Sequence, residues 1–123
     1  YQRRGADGQL RPLHLDRAAA VLDYAPLAAR ACAPRAVAEH GGYTAAELFA
    51  CGYFSVERLD VRTRAALHCG GDSFQHLLCV AGEGAVVHGG VRYLLRQGDS
   101  YFLPAALGDC AVEGACRVLL SRV

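Results

Sequence analysis

The sequence predicts an all-β domain, an antiparallel sandwich or barrel, and three observations carry that expectation. Beyond residue 64 the chain breaks into short apolar runs divided by glycine, at 65–68, 75–80, 85–88, 91–95, 100–103, 110–112 and 116–120. Evenly spaced short runs of this kind mark antiparallel strands. Two turn signals punctuate them: Gly89-Gly90 between His88 and Val91, where a hairpin loop needs positive φ, and Gln97-Gly98-Asp99. Helical spacing of apolar residues, by contrast, is confined to one short stretch near the N-terminus.

In chain order, residues 1–12 are polar, and Gly5, Asp7-Gly8 and Pro12 break regular structure, so they read as an irregular connecting segment. Leu15, Ala18, Ala19 and Leu22 then recur at helical spacing, with Asp16 as a cap and Pro26 as a stop, predicting one short amphipathic helix. Residues 27–42 carry Pro34 and Gly41-Gly42 without a period and read as a linker wrapped on the surface of the β domain. Thr44-Ala-Ala-Glu47 has the form of a capping box. The aromatic and β-branched content of residues 53–61 outweighs it and favours a strand, with 48–51 leading into the same sheet. The division is a connecting segment with a short helix at 1–42 and a β domain at 43–123.

With 123 residues and 53% hydrophobic content, the chain suffices for one domain with its own core. No apolar run approaches the roughly 20 residues that cross a bilayer as a helix. Thirteen arginines, no lysine and twelve acids alternate to a net charge of +1, leaving no basic stripe for a phosphate backbone, so no nucleic-acid partner is expected. The six cysteines, at 32, 51, 69, 79, 110 and 116, form no C-x-x-C pair. Cys51, Cys79 and Cys116 lie in apolar runs and read as buried free thiols, which points to a reducing cytoplasm. The absence of Met places residue 1 inside a longer polypeptide, with no leader expected. Ser73 and Ser100 show no nucleophile arrangement, and the glycine-rich turns lack the Lys-Ser/Thr ending of a phosphate loop.

Two glycine-rich signatures meet in the second half. Gly82-Glu83-Gly84 followed by Val86 and Gly90, then Gly98-Asp99 followed by Pro104 and Gly108, resemble the two cupin motifs in order. The glycines would sit where strands swing between sheets without side-chain clash. The resemblance implies a cupin jelly-roll barrel of short antiparallel strands, all-β apart from the one short helix and the irregular connecting segment. The wider order Tyr1-Gln-Arg3, Gly8, Arg11-Pro-Leu-His14, Cys51-Gly-Tyr53-Phe54, Gly82-Glu-Gly84 and Leu103-Pro104-Ala-Ala-Leu-Gly108 is similar to the C-terminal part of mannose-6-phosphate isomerases of the Gram-positive bacterial sort.

That resemblance implies an aldose-ketose isomerase as the parent protein, interconverting mannose 6-phosphate and fructose 6-phosphate with a zinc ion polarising the substrate oxygens. In the family the zinc ligands and an assisting arginine belong to an N-terminal cupin and to residues before the stretch matching Tyr1. None carries over. No residue of this chain is expected to be catalytic, cofactor-binding or metal-binding, and zinc is expected on the N-terminal half. Counting back from Gly82 puts Gln75 at the metal-binding cupin's Glu position, His68 and Gly70 at its His-x-His positions and Cys110 near its last His. Only His68 is a ligand type, and one imidazole does not hold a divalent ion strongly. Bringing in His76 or His88 would require register shifts that flip side chains to the other face. Arg3, Arg11 and His14 read as structural ties of a domain junction. The expected role is a non-catalytic lobe packed against the N-terminal catalytic cupin of the same polypeptide, which would handle the phosphosugar. The alternative is a free-standing, metal-free cupin acting as a sugar-binding or interaction module.

Overall fold

The computed structural model describes residues 3–24 and 34–123, which fall into two compact units, 1–31 and 32–123. In the first unit, Arg4 bridges to Leu10 and the Arg11 amide donates to the Arg3 carbonyl at 2.9 Å, closing a small turn around Asp7-Gly8. The expected helix is present as α1, Leu15–Val21. Its cap differs from expectation. His14 occupies the N-cap without a side-chain bond, and Asp16 lies inside the first turn, where its carboxylate faces the positive end of the helix dipole. None of its residues is buried; Leu15 is 69% and Val21 83% exposed. Pro26 and Cys32 lie outside the described residues.

The second unit is built of β1 (Val37–Glu39), β2 (Tyr43–Ala50), β3 (Ser55–Val61), β4 (Arg64–Cys69), β5 (Gln75–His88), β6 (Val91–Arg96), β7 (Ser100–Leu103) and β8 (Gly108–Arg122). Every pairing is antiparallel. The first half of β5 and the last half of β8 lie between β7 and the β3-β2-β1 series, while their other halves lie between β6 and β4. Two layers therefore share two long bent strands, the jelly-roll arrangement expected for a cupin. Among the described residues no helix is long and apolar enough to cross a membrane.

Three readings from sequence change here. The separate runs 75–80 and 85–88 are one strand, β5, and 110–112 and 116–120 are one strand, β8. The glycines inside them bend the chain between layers instead of ending strands. Gly84 pairs opposite Gly114, and a Cβ on Gly114 (φ 123°) would lie 2.6 Å from the Cα of Gly84. Only glycine allows backbones so close. Residues 37–39, read as linker, form edge strand β1 against β2. Cys51, read as buried, is exposed in the β2–β3 connection, where its amide donates to the Phe54 carbonyl at 3.0 Å. The capping box at Thr44 is inside β2, as the strand reading required, and Gly89 (φ 56°) and Gly90 (φ 78°) form the β5–β6 hairpin turn.

The core lies between the layers. Leu59, Leu77, Leu95, Val118 and Leu120 are all 2% exposed or less, and each such side chain contributes roughly 1.5–3 kcal/mol by leaving water. Outside, Glu113 bridges Arg64 and Arg92, and Asp60 bridges Arg58 and Arg117. Hydrogen bonding from Arg92, followed by that from Arg64, holds the Glu113 carboxyl below the usual carboxylate range. These pairs clothe the outer faces and add little to stability.

Candidate functional site

Strand parity decides which side chains face the interior. Along β4, Ala65, Leu67 and Cys69 are buried while Arg64, Ala66 and His68 are exposed. His68, the single ligand type in the motif count, therefore points outward, and its Nδ1 lies 2.7 Å from Oδ1 of Asp109 on β8. The residues that face inward are Leu67 and Cys69. Gly70 lies past the end of β4, in the connection to β5. Cys110 pairs opposite Leu67 and is buried, so it does face the interior, as does Gln75 at the start of β5. The Gln75 amide donates to the His68 carbonyl at 2.8 Å, and its Oε1 is buried without a partner among the described residues.

The chemistry of this packed region is quiet. Burial, then the neighbouring Cys69, pushes the Cys110 thiol up to about 11, and burial does the same to Cys116. Both are neutral thiols near pH 7, without the thiolate that attacks electrophiles or binds metal. Among the described residues no group of three or more His, Cys, Asp or Glu is placed to hold a metal ion. A leucine, two buried cysteines and an amide do not make the donor set of a zinc site.

The interior is less completely filled at its mouth. Val86 and His88 near the end of β5, Tyr93 on β6, Tyr101 and Leu103 on β7, and Leu107 in the β7–β8 connection line a cavity of about 220 Å³. His88 pairs opposite Val91, shares the face of Val86 and lines the cavity, whereas His68 points to the other face, so the two imidazoles do not converge. His76 pairs with Ser121 and Phe102 on the outer face. His88 Nδ1 lies 3.1 Å from the Asp109 carbonyl, an acceptor, so Nδ1 is the donor, and in the neutral ring Nε2 is left as the acceptor. The Tyr101 hydroxyl donates to the Leu94 carbonyl at 2.6 Å, and its ring meets Tyr93 edge-on at 6.4 Å.

The wall at Leu107 is held by a strained turn. Ala106 has φ 61°, the one positive value at a non-glycine among the described residues. The Leu107 amide donates to the Pro104 carbonyl at 3.2 Å, and the Ala106 amide to the Gly70 carbonyl at 2.6 Å. A left-handed alanine costs on the order of 1–2 kcal/mol, which the surrounding bonds offset. Sequence reasoning missed this cavity, although the alternation from Val86 to His88 was the signal that could have placed the imidazole on the inner face.

The sequence of residues 44–123 matches the family described as "Mannose-6-phosphate isomerase, cupin domain". The probable mannose-6-phosphate isomerase GmuF of Bacillus subtilis is 30% identical over 99% of this chain, and the mannose-6-phosphate isomerase ManA of the same organism is 28% identical over all of it. This chain spans 38% of the length of each. The crystal structure of the Bacillus subtilis mannose 6-phosphate isomerase superposes over the whole chain with a TM-score of 0.71 at 24% identity, again covering 38% of that protein. KdgF from a Halomonas species aligns with 70% of this chain, and 83% of its own, at a TM-score of 0.60 and 18% identity, a likeness of fold.

Proposed function

The chain belongs to the mannose-6-phosphate isomerase cupin-domain family, and on that premise we propose that it is the non-catalytic C-terminal lobe of a zinc-dependent isomerase that interconverts mannose 6-phosphate and fructose 6-phosphate. The observation that carries this reading is that, around the positions where the motif count places a metal-binding cupin's ligands, His68 points outward and the residues that face inward are Leu67, Cys69, Gln75 and Cys110. These pack. Zinc, phosphosugar and the proton transfer then belong to the N-terminal part of the same polypeptide, which this lobe stabilises and positions. The exposed apolar residues of α1, Leu15 and Val21 among them, are consistent with a segment that meets that part. Free thiols at all five described cysteines suit a cytoplasmic setting.

The alternative, a free-standing sugar-binding module, would use the mouth cavity. The lining there offers an imidazole and two phenols but no guanidinium or carboxylate, which suits a phosphosugar poorly. The test compares the 123-residue chain with the full polypeptide of its source. Isomerase turnover is expected in the full polypeptide alone, and equilibrium dialysis should find no tightly held zinc on the chain. Turnover by the chain itself, or one zinc per chain, would refute the proposal.

A further inference from the structure

We propose that the mouth cavity is a binding site for a small neutral ring compound carrying one N–H or O–H donor, separate from any phosphosugar chemistry. Size, lining and a hydrogen-bonding handle converge on that class. An apolar cavity of about 150 Å³ is enough to take benzene, so about 220 Å³ accommodates one ring or two fused rings. The walls are chiefly carbon: Val86, Leu103 and Leu107 with the rings of Tyr93 and Tyr101. Aromatic walls favour stacked or edge-on contact with a flat guest. A sugar phosphate would bury its charge against a surface that supplies no permanent cation.

The handle is His88. In the neutral ring its Nδ1 proton is spent on the Asp109 carbonyl, which fixes the tautomer and leaves Nε2 as an acceptor without a partner among the described residues. A guest N–H or O–H can complete that acceptor. The Tyr101 hydroxyl is already committed to the Leu94 carbonyl and holds its ring in place instead of competing for the guest. The Ala106 turn works to the same end: a strained φ of 61° is kept so that Pro104 and Leu107 stand as one wall of the opening. Strain held at the rim of a cavity is the pattern of a preorganised site.

The test uses the full chain, with indole as probe and benzofuran, which has the same shape without the N–H donor, as control. In an amide NMR titration, indole is expected to cause saturable shifts confined to residues around Val86, His88, Tyr93, Tyr101 and Leu107. Benzofuran should bind about threefold to tenfold more weakly, the range a single neutral hydrogen bond gives. Leu107→Trp, which fills the cavity from its rim, should abolish the indole shifts while the rest of the spectrum persists. The indole and benzofuran comparison needs no variant and decides the matter if Leu107→Trp misfolds. Absence of saturable shifts, shifts centred elsewhere, equal affinity for the two probes, or displacement of indole by mannose 6-phosphate would each overturn the proposal. None of these outcomes bears on isomerase turnover in the full polypeptide, so the two readings fail independently.

Discussion

The packed interior around Cys69, Gln75 and Cys110 and the open mouth around His88, Tyr93 and Tyr101 share strand β5 but treat polar atoms in opposite ways. In the packed region the Cys110 thiol is neutral and an amide oxygen is sealed off without a partner among the described residues. At the mouth the imidazole of His88 lines an accessible cavity, with its Nδ1 alone engaged by a backbone carbonyl. The same fold thus carries inert and available polar groups within a few residues of each other, and completeness of packing separates them. A functional reading based on residue type alone would have pointed to the cysteines, whose chemistry burial suppresses.

The comparison depends on β5 and β8 running unbroken through both layers, and the largest expected effect comes from breaking that crossing. Gly114→Ala adds a methyl 2.6 Å from the Cα of Gly84 at a φ of 123° that alanine does not tolerate. Overpacking and backbone strain together should lower stability by about 3–5 kcal/mol, read as a shift of the urea midpoint. A loss below about 1 kcal/mol would mean that the strands separate there easily and that the two regions are not rigidly coupled.

Raising the pH sharpens the contrast from the packed side. Cys110 and Cys116 are pushed up to about 11, above their ordinary 9.0, so across that window the folded chain holds protons that the unfolded chain has released. Stability therefore falls as pH rises from about 9 toward 11 and is independent of these thiols below it. A Cys110→Ala/Cys116→Ala variant should fall less steeply over the window, and the difference in slope between the two curves isolates the thiols from the tyrosines. Parallel curves would show that the thiols are hydrated.

Turn chemistry was legible in the sequence because it is local: Gly89-Gly90 closes the β5–β6 hairpin and Gly98 (φ 91°) carries the chain from β6 to β7. The continuity of β5 and β8 was legible only in part: the motif glycines Gly82 and Gly84 were placed where strands swing between sheets, as found, but the glycine-divided runs on either side read as separate strands until their partners are known. The face of His68 is more instructive. Arg64, Ala66 and His68 alternate with Ala65, Leu67 and Cys69, a pattern that places the imidazole outside, whereas counting residues from a glycine motif put it at a ligand position. Period-two alternation was the sounder guide, because a motif count carries an error of one residue and one residue reverses the face. The mouth cavity joins residues from β5, β6, β7 and a turn, a convergence that no local pattern encodes.

The smallest effect expected is also the one that tests the packed region most directly. Gln75→Met keeps a similar volume and removes two polar groups: the sealed Oε1 and the amide that donates to the His68 carbonyl. An unpaired buried oxygen costs about 1–3 kcal/mol, whereas an ordinary hydrogen bond contributes about 0.5–1.5 kcal/mol, so the oxygen outweighs the bond. Stability should rise by about 1 kcal/mol in urea titration. A loss of similar size would instead show that Oε1 is satisfied in solution by an ordered water, and the interior around Cys69 and Cys110 would then be wet and closer in character to the mouth.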